Sequence, residues 1–331
     1  MVQQYFEALR SFFANRKNNK DARPPFRTKK YQTFVWKNTA VKLLGDGTLK
    51  LSLGRNSEPL HVPTKLPPDI EVRTVRLVYD DGAYKLHVTV AIEFEQQPQV
   101  GDKACGVDLG IKRLITAFDG QTVISYHGGE LSAKLRYRNK ELAKLQSKQS
   151  KCQKDSKRWR KLQSAKRRML KRIKNQIRDI LHKTTSHFIS WCLSNGIGTV
   201  AVGDIRRIRE RVDYNDTVNQ KIHQWMYGEL LKILEEKTKL FGIKLVYVDE
   251  AYTSKTCPVC GTQNAVKDRR YKCQCGFEYH RDGVGAINIF KRYRGESHVV
   301  GALASPVGVR FKPHLRSHGV SISPWKPVLS W

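Results

Sequence analysis

The sequence contains no apolar run long enough to cross a bilayer, and its opening residues, MVQQYFEALRSFF, have no basic segment leading into an apolar one. A helical membrane span and a secretory leader are therefore not expected. An amphipathic basic helix backed by aromatics, which would anchor the chain on a membrane surface, is missing as well. Acid is scarce: 30 Asp and Glu stand against 61 Lys and Arg, a formal net charge of +31 on 331 residues. So large an excess repels itself unless a polyanion neutralises it, and nucleic acid is the expected partner because phosphate neutralisation releases condensed counterions. The seven cysteines fit no disulfide framework, and four of them cluster at metal-ligand spacing. That pattern points to a reducing compartment, and with the charge it points to a cytoplasmic, nucleoid-associated protein.

What is present is enough apolar residue, 40%, to build cores for two or three compact units. Residues 4–14 read as a short helix, followed by the basic linker RKNNKDARPPFRTKK. Residues 31–97 read as mostly β. Two alternating runs, 72–79 and 85–94, flank the turn residues DDG, a hairpin signal. The polar stretch QQPQVGD marks a boundary. Beyond it, 104–118 forms two short apolar runs around a Gly-Ile-Lys-Arg turn, and 121–127 offers a third strand. A long helical stretch over 131–192 precedes a buried-type strand over 198–205, a helix over 218–241, a strand over 243–249 and a last helix over 285–294. This is the element order of an RNase H-like fold, an α/β arrangement, though many α/β domains share it. Residues 295–331 lack a period and are expected to be disordered.

Cys257-Pro-Val-Cys260 and, twelve residues on, Cys273-Gln-Cys275 present four thiols from two short hooks. Tetrahedral Zn²⁺ wants four such ligands, and a CxxC turn presents two sulfurs to one ion. With no spare ligand position, the Zn²⁺ would be structural, holding a knuckle too small to build its own core. The competing reading is a pair of redox dithiols or inert buried cysteines.

Two acids stand out. Asp108 lies inside the apolar strand Gly106-Val-Asp-Leu-Gly110, where a carboxylate is rare unless it binds something. The flanking glycines would let a metal or a phosphate backbone come close. Asp282 opens the last helix, where a plain N-cap is the simpler reading. Two such acids could carry two Mg²⁺ ions about 3.5–4 Å apart for in-line phosphodiester hydrolysis, usually with a third acid.

Three stretches then become specific together: GVDLGIKRLIT, HQWMYGELLKILEEKTKLFGIKLVYVDEAYTSKTCPVCG and YKCQCGFEYHRDGVGAINI. In that order they resemble TnpB, the RNA-guided nuclease encoded by bacterial insertion sequences. The resemblance covers residues 100–294 closely and 31–97 loosely. It implies a partial helical recognition segment and linker over 1–30, and a β-barrel-like wedge domain over 31–97. A RuvC-like nuclease domain, RNase H-like, follows over 103–255, with a basic helical insertion at 131–192. A zinc knuckle over 256–280, a last RuvC segment over 281–294 and a tail over 295–331 complete it. The resemblance also implies a guide RNA, a double-stranded DNA target beside a short adjacent motif, and catalytic acids at Asp108 and Asp282. TnpB chains usually begin with more sequence, so Met1 is expected to enter partway through the helical recognition region.

The second acidic motif departs from the family. Val200-Ala-Val-Gly-Asp-Ile205 carries Gly203 where relatives carry glutamate. Glu250 instead stands where most relatives carry proline, just before TSKTC. The two strands should be neighbours, about 4.8 Å apart, a gap that a glutamate can largely span. Some TnpB lineages and the related Fanzor proteins show a similar relocation. The expected site is therefore Asp108, Glu250 and Asp282 holding Mg²⁺, with Glu250 as a solvated loop charge the bland alternative. Asp204 is the weaker stand-in, because period-2 alternation points it to the other face.

Residues 133–183 hold most of a helical hairpin with basic runs such as Lys166-Arg-Arg168 and only Glu141, Asp155 and Asp179 as acids. A helix charged all round is not a core element, and in the family this insertion lies along the guide–target duplex, which is read by shape and backbone. Trp159 and Tyr137 are expected to pack rather than to stack on bases. Three functions fit: an RNA-guided, Mg²⁺-dependent DNA endonuclease, a nuclease-inactive guided repressor, or a DNA-binding transposition accessory.

Overall fold

The computed structural model describes residues 2–26, 31–54, 56–80, 83–91, 101–206, 216–265, 269–296 and 306–309. The chain forms two compact units, divided between Phe94 and Glu95. Among the described residues no helix is long and apolar enough to cross a membrane.

The first unit runs α1 (Val2–Arg16), β1 (Phe34–Lys37), a 3-10 turn, β2 (Val41–Leu43), β3 (Thr48–Leu51), β4 (Leu60–Pro63), β5 (Glu71–Asp80) and β6 (Ala83–Ala91). The expected barrel-like domain is two three-stranded antiparallel sheets, β1-β5-β6 and β2-β3-β4. Trp36, Leu49, Leu51, Leu66 and Val75 form the core of this unit. The expected hairpin is present, with Leu77 opposite Leu86 and Val75 opposite Val88.

The second unit begins with β7 (Lys103–Asp108), β8 (Arg113–Phe118) and β9 (Val123–His127), an antiparallel meander. It continues through α2 (Gly129–Ser150), α3 (Lys157–Ser194), β10 (Ile197–Gly203), α4 (Asp216–Gln224), α5 (Tyr227–Leu240) and β11 (Lys244–Val248). The hairpin β12 (Arg270–Lys272) and β13 (Glu278–His280), then α6 (Arg281–Arg294) and β14 (Val307–Val309), complete it. Six strands form one sheet in the order β11-β10-β7-β8-β9-β14, with β10 and β11 parallel to β7. Helices cover both faces, as a sheet with parallel strands requires.

Alternation along β7 decides what each face receives. Cys105, Val107 and Leu109 join the large core with α3 and α5, whereas Ala104 packs with Ala286, Ile287 and Phe290 of α6. Gly106 and Asp108 lie on the α6 side as well. A Cβ at Gly106 would stand 2.4 Å from the Ala286 carbonyl oxygen and 2.4 Å from the Phe290 nitrogen, so helix and strand meet backbone to backbone.

The long helical stretch is the expected hairpin, two helices reversing near Asp155, whose φ of 64° lies in the left-handed region. Several expectations need correction. The hairpin's basic character does not keep it out of the core: from Ile173 onward, α3 buries Ile177, Ile180, Leu181, Phe188 and Ile189 against the sheet. Only the preceding part of α3 has no buried residue. Tyr137, expected to pack, is 46% exposed. The helix over 218–241 is broken between α4 and α5, with Trp225 buried at the joint. The tail, expected to be disordered, contains β14, which pairs in parallel with β9, Val307 opposite Ile124; the rest of 297–331 lies outside the described residues.

Gly106→Ala should lower stability by about 1–3 kcal/mol in urea unfolding, because the added methyl meets backbone rather than a side chain that can yield. Gly129→Ala, with no atom within 4 Å of the new methyl, should stay within about 0.5 kcal/mol.

Candidate active site

Three chain segments bring the expected acids together. Asp108 ends β7, on the face that α6 covers. Asp282 sits in the first turn of α6, whose N-cap residue, His280, makes no side-chain cap bond. Asp282 is therefore not the N-cap; it lies two residues beyond it, where a negative charge still meets the positive end of the helix dipole. Its carboxylate accepts from Arg269 at 2.8 Å. Glu250 lies two residues beyond β11, in the loop leading to the cysteines.

Gly203 and Glu250 fit each other. β10 and β11 pair in parallel, Gly203 opposite Val248. A Cβ built on Gly203 would stand 3.0 Å from Glu250 Oε2 and 3.1 Å from Glu250 Cβ. The Glu250 side chain thus occupies the space that a side chain at position 203 would enter. Gly285 plays the same part for Asp108: a Cβ there would lie 2.9 Å from Asp108 Oδ2. Sequence reasoning did not single out Gly285, although a second glycine in the opening turns of a helix is costly and signals a close approach.

Both carboxyls are destabilised as anions. Burial first, then the charges of Asp282 and Glu250, push Asp108 up to about 8, against a smaller opposing effect of Arg281. Burial, then Asp204 and Asp249, push Glu250 up to about 7. Among the described residues neither carboxylate has a hydrogen bond or salt bridge. Acids that repel one another, half-buried and without such a partner, are a donor set suited to a hard divalent cation, which would make the ionised forms favourable. Asp204 differs: Arg206 holds it through Nε at 2.8 Å and Nη2 at 2.7 Å, and the same guanidinium lies 4.3 Å over the Tyr247 ring. It is therefore engaged on the α5 side, as alternation implies.

The four cysteines also converge. Their sulfurs lie within 4.8 Å of one another, with Cys257–Cys275 at 3.7 Å and Cys260–Cys273 at 3.4 Å. A tetrahedral zinc thiolate has sulfur–sulfur edges of about 3.8 Å, so the residues fit Zn²⁺. Each hook is closed by a glycine in the left-handed region, Gly261 at φ 76° and Gly276 at φ 86°. The Thr262 hydroxyl and amide push Cys260 down to about 6, while burial pushes Cys257 up to about 12. The knuckle borrows its core from α6: Cys257 and Tyr271 pack on Val284.

Residues 87–209 match the family model of the IS605 OrfB "probable transposase", and 227–289 match that of the Cas12f1-like TNB domain. A TnpB-like protein of Methanocaldococcus jannaschii is 32% identical over 138 residues, 41% of this chain and 48% of that protein. Over these residues the chain is similar to TnpB-family proteins. Another relative, the CRISPR-associated endodeoxyribonuclease Cas12f1 of Sulfoacidibacillus thermotolerans, is 26% identical over 242 residues, 68% of this chain and 54% of that protein. The chain thus spans about half the length of the curated relatives it matches. Its fold is similar to that in the cryo-EM structure of a Cas12f1–sgRNA–target DNA complex, with a TM-score of 0.58 and 17% identity, covering 85% of this chain and 68% of that one.

Two outcomes are expected. The folded pKa values of Asp108 and Glu250 lie above their unfolded values, so the metal-free fold binds more protons than the unfolded chain, and its stability falls as pH rises from about 4 to about 8. Asp108→Asn should raise the metal-free melting temperature at pH 8 by at least about 3 °C, and by much less at pH 4. Metal analysis of the purified chain should find one Zn²⁺, lost in Cys260→Ser with unfolding of the knuckle.

Proposed function

We propose that this chain is an RNA-guided DNA endonuclease that hydrolyses double-stranded DNA, with Asp108, Glu250 and Asp282 holding Mg²⁺ on an RNase H-like (RuvC) sheet. The observation that carries the reading is the seat of Glu250 over Gly203, on the sheet face that Asp108 and α6 share. A solvated loop charge would have no reason to fold back over a buried glycine.

When bound, Mg²⁺ supplies Lewis-acid activation of water and neutralises charge building up at the scissile phosphate. The chain's own residues supply the rest. Asp108 and Glu250 would hold the cation as carboxylates, giving up the protons that burial favours. The close meeting of α6 with β7 fixes the relation of Asp282 to Asp108. Arg269 holds one oxygen of Asp282, orienting the other. Cys257, Cys260, Cys273 and Cys275 would hold Zn²⁺, which stabilises the segment between Glu250 and α6.

Guide RNA and target DNA enter from charge and likeness. A net charge of +31 requires a polyanion. The basic hairpin, with Lys and Arg along the exposed part of α3, suits a duplex read by backbone and shape. The structurally similar Cas12f1 is a complex with sgRNA and target DNA. One observation favours the second reading, a nuclease-inactive guided binder or transposition accessory: Gly203 stands where family members carry glutamate.

Glu250→Ala decides between them. The RNA that copurifies identifies the guide, and a matched plasmid is the substrate. The variant should lose Mg²⁺-dependent cleavage by more than the roughly 10–100-fold typical of outer-shell changes, while guided DNA binding persists. Cleavage at the parent rate would remove Glu250 from the mechanism.

A further inference from the structure

Glu250 is placed by a loop, and loops alone place side chains loosely. The segment from Asp249 to Pro258 contains little regular structure, and Tyr252 within it has φ 61°, uncommon for a residue other than glycine. Its internal bonds are local turn bonds: the Ala251 amide donates to Asp249 Oδ1 at 3.1 Å, Thr253 donates to the Glu250 carbonyl through its amide at 3.1 Å and its hydroxyl at 2.9 Å, and the Lys255 and Thr256 amides donate to the Tyr252 carbonyl at 2.9 and 3.0 Å.

One helix supplies what the loop lacks. Arg292 of α6 donates from Nη1 to the Asp249 carbonyl at 2.6 Å and from Nη2 to the Ala251 carbonyl at 2.6 Å. Its two arms therefore grip the peptide oxygens on either side of Glu250. Asn288, one turn earlier and buried, donates from Nδ2 to the carbonyls of Thr253 at 2.7 Å and Thr256 at 2.8 Å. Lys291, also buried, donates to the Pro258 carbonyl at 2.7 Å. The Ile289 side chain from the same helix reaches within 3.0 Å of the Cβ position at Gly203. A planar fork with fixed donor spacing can straddle one residue in a way that a single ammonium cannot.

We propose that Arg292 is the positioning residue for Glu250: its guanidinium bridges the carbonyls of residues 249 and 251 and so aims the glutamate carboxylate over Gly203, with Asn288 anchoring the next stretch of the loop. The proposal rests on the reading of Glu250 as a metal ligand. It makes α6 the common reference for the whole site, since the helix carries Asp282 at one end and this clamp at the other.

The test uses the full chain and Mn²⁺ alone, with binding followed by electron paramagnetic resonance, on Arg292→Gln, Arg292→Lys, Glu250→Gln and the double variant Glu250→Gln/Arg292→Gln. Arg292→Gln should weaken Mn²⁺ binding by about tenfold. Arg292→Lys, which keeps charge and one donor arm, should fall between it and the parent. In the Glu250→Gln background, Arg292→Gln should change nothing further, because its effect runs through the glutamate. Hydrogen exchange at the Thr253 amide should speed up in Arg292→Gln without metal. An unchanged affinity in Arg292→Gln, or the same further loss in the Glu250→Gln background, overturns the clamp and leaves the metal site standing. Parent-like Mn²⁺ affinity in Glu250→Gln alone overturns the metal-site reading and the clamp with it. Zinc content checks folding, and if Arg292→Gln fails to retain its zinc, the Arg292→Lys comparison in both backgrounds decides.

Discussion

The contact on which the rest depends is the meeting of α6 with β7 at Gly106. With no side chain between them, the helix lies directly on the strand, and any larger residue would push it away. One step along the same face stands Asp108, covered by Gly285 of the helix. Two glycines, one from each element, thus let an acid on the strand and an acid in the first helical turn approach across a gap that ordinary packing would fill. The cost is electrostatic, borne by carboxyls held as anions in a half-buried place, and a divalent cation would reverse its sign.

Gly203 belongs to the same logic by subtraction. A buried strand-end glycine beside an acidic site reads as a loss when the residue is considered alone. Beside β11 it becomes room, because the glutamate arriving from the neighbouring segment needs the volume that a Cβ at 203 would take. Parallel pairing of β10 with β11 puts the ends of both strands at one edge of the sheet, so a carboxylate can be supplied from either. Moving the acid into a loop creates a new requirement, that the loop be held, and the carbonyl bonds from Arg292, Asn288 and Lys291 meet it.

Much of this was legible in the sequence. Apolar runs separated by turns located β7, β8, β10 and β11, because buried strands leave little freedom in composition. The cysteine hooks were legible because thiolate chemistry demands that spacing. Asp108 stood out as an acid in an apolar strand, and the resemblance to TnpB, which exposed the glycine at 203, nominated Glu250 with strand adjacency making it feasible. Other features were hidden for physical reasons. β14 is three residues, Val-Gly-Val, too short to carry a period. The buried face of α3 was masked by lysines and arginines on its other sides. Asp282 looked like a cap because capping and metal binding favour the same residue at the same end of a helix. The grip of Arg292 on residues 249 and 251 spans more than forty positions of chain, and nothing local announces an arginine that bonds backbone oxygens.

The cysteine knuckle joins this arrangement at both ends. It begins after the loop that carries Glu250, ends at the first turn that carries Asp282, and packs Cys257 and Tyr271 on Val284 of α6. Arg269, next to β12, reaches Asp282 itself. A structural ion placed there would stiffen the two segments that have to converge on Asp108. The central claim, that the glutamate at 250 has taken the place of the missing one at 203, is tested most directly by anomalous scattering from Mn²⁺ in crystals of the full chain. The account expects a peak about 2.0–2.2 Å from both an Asp108 and a Glu250 carboxylate oxygen. A peak held by Asp108 and Asp282 with the Glu250 carboxylate turned away from it would contradict the account.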